Sequence, residues 1–196
     1  DDIKKRYAGS SLGIVWAFAQ PLVTITIYWF VFQIGLRSVA PGQSGDMPFL
    51  VWIMCGLIPW FFFSDGINSV TSVFLEYSYL VKKVVFDINI LPVIKIISAM
   101  FVHIFFIFLI FIVMALFGYM PSICYIQAFY YSFCMICLIL AIGYFTSSLS
   151  VFFRDLPQLV QVCLSAGMWL TPIMWAFDML QGYWFSFIFK LNPMFY

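Results

Sequence analysis

Four stretches of this sequence contain no Asp, Glu, Lys or Arg: residues 7–36, 47–64, 96–153 and 156–177. Each is long enough, or nearly so, to supply the roughly 20 apolar residues that a helix needs to cross a bilayer. A soluble domain carries about a quarter of its residues as charges, whereas here charged residues are 9% and hydrophobic residues 65% of 196. The fold class that follows is all-α, a polytopic transmembrane helical bundle. A membrane β-barrel would show strict apolar/polar alternation over about ten residues at a time, and the run Ile104 to Phe111 has none.

Five spans fit, at 13–36, 49–74, 96–117, 126–152 and 158–177, within a single transmembrane domain. The interval 96–153 is too long for one crossing and breaks at Gly118 to Ser122, which predicts an antiparallel pair with a short turn. Pro21 is expected near the start of the first span, where a missing N–H costs least. Residues 179–196 are too few to cross and re-form a loop, and their aromatic, apolar character predicts an outer interfacial or re-entrant segment. The end at Phe195-Tyr196 reads as a truncation before a further span.

Orientation follows from the Lys/Arg bias. Lys4, Lys5, Arg6, Lys82, Lys83, Lys95 and Arg154 fall on one side, and only Arg37 and Lys190 on the other. The N-terminus is therefore expected in the cytoplasm, with Gln43 and Lys190 outside. The start Asp1-Asp2-Ile3-Lys4-Lys5-Arg6 is followed by no small-residue cleavage site, so the first apolar stretch is expected to remain as a span. A net charge of +1 offers nothing to a nucleic acid.

Few residues can carry chemistry. No Lys follows a Gly anywhere, so the phosphate-binding loop G-x-x-x-x-G-K-[ST] is absent and any ATP must be hydrolysed on a partner. No catalytic set is expected. His103 is the one histidine, and no second ligand pair accompanies Cys134 and Cys137, so no metal is expected either. The five cysteines read as packing residues rather than a disulfide framework. His103 and Asp65 fall inside spans, where an ionisable group is costly enough to be a functional candidate. For His103 two readings stand, a neutral imidazole satisfied by a neighbouring helix and a proton relay; Asp65 can instead sit near a wet cytoplasmic mouth. Lys95 is expected to snorkel to the headgroups.

The segment 76–92 lies between the second and third spans on the cytoplasmic side. As a helix it brings Tyr79, Lys82, Lys83 and Phe86 near one face, a mixture of apolar knobs and charge suited to docking on a protein. An interfacial amphipathic helix is the alternative.

Several motifs, in order along nearly the whole chain, resemble one family. They are Ile3-Lys4-x-Arg6-Tyr7-x-x-Ser10-x-Leu12-Gly13-x-x-Trp16, Gly56-Leu57-x-Pro59-Trp60-x-Phe62-Phe63, Leu80-x-Lys82-Lys83-Val84-x-Phe86 with Leu91-Pro92, Phe153-Arg154-Asp155 and Asn192-Pro193-Met194. The family is the membrane subunit of ABC-2 type exporters of polysaccharides and polyol phosphates, which move O antigen, capsule or teichoic acid chains. Asp87 stands where its members usually have Pro, and the family continues to a sixth span.

The resemblance implies a homodimer seated on nucleotide-binding ATPase subunits that hold ATP and Mg, exporting a lipid-linked polymer across the bacterial inner membrane. It implies that residues 76–86 form a coupling helix, with Tyr77, Tyr79, Leu80, Lys82, Lys83 and Phe86 as its contacts. It places Lys4, Arg6 and Tyr7 on an N-terminal gate helix within 3–12, the outer gate helices within 178–196, and Arg154 and Asp155 in a cytoplasmic loop. Trp16, Tyr28, Trp52, Trp60, Trp169 and Trp175 have two readings: aromatic belt and lipid-facing bulk, or walls of a path along which sugars slide through weak, repeated contacts. Gln20, Thr24, Thr26, Gln161 and Ser165 fit either that path or the contact with a second copy. Spans three and four, which contain no Trp, are expected to form a lipid-facing hairpin. The rival functions are export of a small lipid or drug by the same architecture, and an integral-membrane enzyme or scaffold of cell-envelope synthesis.

Overall fold

The computed structural model describes residues 13, 15–35, 48–78, 88–119 and 123–175, with the backbone alone at Cys124. The gate residues Lys4, Arg6 and Tyr7, the coupling residues Tyr79, Leu80, Lys82, Lys83 and Phe86, and the segment 178–196 lie outside the described residues. Every regular element among those described is helical. α1 (Val15–Trp29) continues into a π-helical segment (Phe30–Gly35); α2 (Phe49–Thr71) is followed by a single turn, α3 (Val73–Glu76); then come α4 (Ile90–Leu116), a 3₁₀ turn (Ile123–Tyr125), α5 (Ile126–Phe152) and α6 (Leu156–Leu170). α1 with its π-helical extension, α2, α4 and α5 are each long and apolar enough to cross a membrane. Helices satisfy their backbone groups internally, the condition for spanning a hydrocarbon layer.

α2 is the central post. Over its most apolar window 56% of residues are buried, against 33% in α4, 22% in α5 and 6% in α1. Ile53, Leu57, Ile67 and Val70 of α2 meet Ile96, Ala99 and Phe106 of α4 and Ile139 of α5 in one continuous core. Two glycines let α5 come close. A Cβ on Gly143 would stand 2.6 Å from Val70 Cγ1, and one on Gly66 would stand 3.0 Å from Ile139 Cδ1. Beside them Thr71 and Thr146 share a hydrogen bond of 2.8 Å across the same seam. Small residues at a helix crossing are how membrane helices gain van der Waals contact in the absence of a hydrophobic drive.

Three expectations are corrected. α4 begins at Ile90 rather than 96, and it is no lipid-facing strut. It buries Leu91, Lys95, Ile96, Ala99, His103, Phe106 and Ile110 at helical spacing, while Phe101, Phe105, Phe108 and Ile112 remain on the outside. Pro21 lies well inside α1 rather than at its start, so the carbonyl of Ala17 loses its usual i+4 donor. The fifth expected span is helical only through Leu170, and Thr171 is extended. The 15 residues of α6 rise about 22 Å, short of the roughly 30 Å hydrocarbon core.

Candidate functional site

Among the described residues, three cavities open along the post; one, about 280 Å³, lies among α2, α5 and α6 beside Trp60 and Gly167, and each of the other two lies beside a proline inside a helix. The first, about 230 Å³, sits among α1, α2 and α4, and Gln20, Thr24, Ser64, Asp65, Asn68, Ser98 and His103 line it together with Ala17 and Pro21. Asp65 and His103, the two ionisable groups that the sequence places inside spans, thus share one polar chamber. The second, about 670 Å³, is mostly apolar and sits among α2, α4 and α5, walled by Trp52, Cys55, Pro59, Ile107, Met135 and Ile173 among others. Pro59 inside α2 frees the carbonyl of Cys55, on the wall of this second chamber.

His103 belongs to both walls. Its ring stacks on Phe62 with centroids 4.3 Å apart, and it is 5% exposed. Nε2 lies 3.0 Å from Ser132 Oγ on α5. The single Ser132 proton is donated to the Ala128 carbonyl at 2.7 Å, so the serine oxygen accepts and Nε2 carries the imidazole proton. Nδ1 is buried with no hydrogen-bond partner among the described residues. The neighbouring-helix reading of His103 therefore has its partner, with one ring nitrogen left over.

At the end of the bundle where α2 finishes and α4 begins, Lys95 does not snorkel. Its side chain is 7% exposed, and Nζ meets Glu76 at 2.9 Å from Oε2 and 3.1 Å from Oε1. The ammonium also lies 5.2 Å from the centre of the Tyr77 ring. A charge five residues into a helix is buried here because a carboxylate from the preceding turn neutralises it. The Tyr144 hydroxyl of α5 donates to the Asn89 carbonyl at 2.6 Å, immediately before α4. Of the cytoplasmic-loop candidates, Arg154 and Asp155 are exposed between α5 and α6, next to exposed Phe152 and Phe153.

The candidate path residues separate into groups. Tyr28, Phe32, Phe49 and Trp52 form a ladder of rings between α1 and α2, with successive centroids 6.4, 6.3 and 5.4 Å apart. Trp169 is exposed on α6, and Trp175 Nε1 donates to its carbonyl at 3.1 Å. Trp16 is exposed at the opposite end of α1. Trp60 is different: it is 5% exposed, packed 5.7 Å from the Phe63 ring and against Gly167 of α6, a core position within the protomer. The hydroxyls of Thr24, Thr26 and Ser165 donate to carbonyls of their own helices at 2.8–2.9 Å, so each is satisfied within its helix, and Thr24 also lines the polar chamber. Gln20 and Gln161 are exposed amides on otherwise apolar faces.

The whole chain, residues 1–196, matches the model of the ABC-2 type transporter family. The chain belongs to that family. Two proteins of Klebsiella pneumoniae, each named O-antigen export system permease protein RfbA, are 29% identical to it over 195 residues, 98% of this chain and 72% of theirs. A protein of the same name from Myxococcus xanthus is 26% identical over 194 residues, with the same shares. As a membrane component of an ABC-2 transporter, the chain is a transport subunit. Neither chamber of this ABC-2 subunit is visible in its sequence. The prolines beside them signal carbonyls lacking donors, but not which neighbouring helix those carbonyls approach, and the Glu76–Lys95 pair joins residues that hydropathy assigns to different segments.

Proposed function

We propose that this subunit exports a lipid-linked polysaccharide of the O-antigen class across the bacterial cytoplasmic membrane, as a homodimer on an ATPase that binds ATP and Mg. The observation that carries the substrate class is the match to O-antigen export permeases over 98% of the chain. The Lys/Arg bias supports a cytoplasmic N-terminus and places Arg154 and the junction at Glu76 and Lys95 on the ATPase side. The segment 76–86 then carries the coupling contacts, with Tyr77, Tyr79, Leu80, Lys82, Lys83 and Phe86 meeting the ATPase and Arg154 and Asp155 beside it. Lys4, Arg6 and Tyr7 belong to a gate helix on the same membrane surface.

The surface left open by the protomer supports a path between two copies. On α1 and its π-helical extension, Trp16, Val23, Ile27, Phe30 and Ile34 stay exposed, and Gln20 lies in the same stripe. On α6, Leu159, Val162 and Trp169 do the same, alongside Gln161. A glutamine facing hydrocarbon alone is unfavourable, so Gln161 favours a partner helix or a polar ligand, and Gln20 borders the polar chamber. In this reading Trp16, Tyr28, Trp52, Trp169 and Trp175 line or border the path, and Trp60 supports it from within the core.

The test is co-purification followed by ATPase measurement in nanodiscs. The subunit is expected to copurify with the P-loop ATPase of the same export system, and adding lipid-linked O polysaccharide is expected to stimulate hydrolysis. A subunit that binds no such ATPase, or a complex indifferent to the polymer, contradicts the proposal.

A further inference from the structure

Resting on the coupling role given to 76–86, we propose that the Glu76–Lys95 ion pair is a positioning element of the transport cycle. It fastens the entrance of the coupling segment to α4, so that a displacement imposed by the ATPase moves α4 and the chamber walls that α4 supplies. Both carboxylate oxygens of Glu76 lie within 3.1 Å of Lys95 Nζ, and Tyr77, next in the chain, lies under the same ammonium. Three residues beyond the segment, the Asn89 carbonyl that precedes α4 accepts from Tyr144 of α5. The link between Thr71 and Thr146 ties α2 to α5 in the same region. A displacement entering at Glu76 is thereby passed to α4, which the Thr71–Thr146 and Tyr144–Asn89 bonds join to α2 and α5.

From Lys95, α4 runs unbroken to Leu116. Along it Ser98 and Ala99 line the polar chamber, Ile107 and Ile110 line the apolar one, and His103 borders both. Packing alone does not call for this charge. Lys95 is buried while its partner is 48% exposed, and at such sites an apolar side chain of similar volume generally serves the fold as well as an ion pair. A structural role and a coupling role therefore predict different outcomes when the charges are removed without loss of volume.

The experiment compares Lys95→Met, Glu76→Gln, the exchange E76K/K95E, and Lys83→Glu as an independent reporter on the coupling segment. Each is assembled with its ATPase in nanodiscs and also expressed in cells. Thermal midpoint, polymer-stimulated ATPase and surface polymer are measured for each. Lys95→Met is expected to keep the native thermal midpoint, because the carboxylate it leaves is half-exposed, whereas Glu76→Gln strands a buried ammonium and is expected to lower it. Both are expected to lose at least about fivefold in polymer-stimulated hydrolysis and export, the low end for coupling between separate sites. The exchange is expected to recover part of that loss. If both single variants remain native in activity while Lys83→Glu is impaired, the pair is not the link although the coupling segment stands. If Lys83→Glu is also native, the coupling reading itself falls. Single variants that are impaired and gain nothing from the exchange likewise overturn the proposal. Should Lys95→Met also lose its thermal midpoint, the double change E76Q/K95M, which leaves neither charge unpaired, decides the matter: native stability with impaired export upholds the link, and native export overturns it.

Discussion

His103 is held by an acceptor that has no proton to spare, since Ser132 already donates its own to Ala128. Removing the serine oxygen leaves both ring nitrogens without partners, whereas removing serine oxygen and imidazole together leaves nothing unpaired. Ser132→Ala is therefore expected to destabilise the protein by about 1 kcal/mol, the scale of an interhelical hydrogen bond in a membrane. H103L/S132A is expected to return close to the native thermal midpoint. A double variant no more stable than Ser132→Ala would show that the imidazole contributes something besides this bond. Lys95 teaches the complementary lesson. Hydropathy ends a span at a charge, and only the folded chain shows that a carboxylate 19 positions earlier allows the charge inside.

Between elements, a glycine brings α5 close against α2. A Cβ on Gly143 would lie 2.6 Å from one Val70 methyl and 3.1 Å from Val70 Cβ, and Val70 is fully buried. Gly143→Ala is expected to cost about 1–3 kcal/mol through overpacking, read as a lowered thermal midpoint in detergent. Adding Val70→Ala should recover most of it; if it recovers nothing, the helices do not meet at this point. Helix existence was legible because charge-free runs of span length have few other uses. Which face of each helix turns inward was not, because lipid and protein interior are equally apolar and leave α4 with no amphipathic signature. This is why α4, with five Phe between positions 101 and 111, reads as lipid-facing although it lines both chambers. Of the candidate site, the coupling role of 76–92 rests on the sequence alone, on its mix of aromatic and basic residues, whereas the shared chamber of Asp65 and His103 required the packing of three helices.

At the scale of the whole molecule, the two least buried helices, α1 and α6, carry the exposed aromatics and amides on which a path between copies rests. Replacing Trp16, Tyr28, Trp52 and Trp169 together by Ala is expected to slow export severalfold while the dimer and its expression level persist, as weak repeated contacts require. An unchanged export rate in a stable dimer would send the polymer elsewhere. Topology is checked by cysteine labelling on a background lacking the five native thiols: an impermeant reagent is expected to reach Gln43→Cys but not Arg154→Cys in intact cells, and the reverse pattern would invert the assignment. The most direct measurement of the account is the location of the completed lipid-linked polymer in cells that lack this subunit but keep its ATPase. Surface antibody is expected to find no polymer until the cells are permeabilised, and reintroducing the subunit is expected to return the polymer to the surface. Polymer reaching the surface of intact cells at the normal rate without the subunit would contradict its role as the exporter.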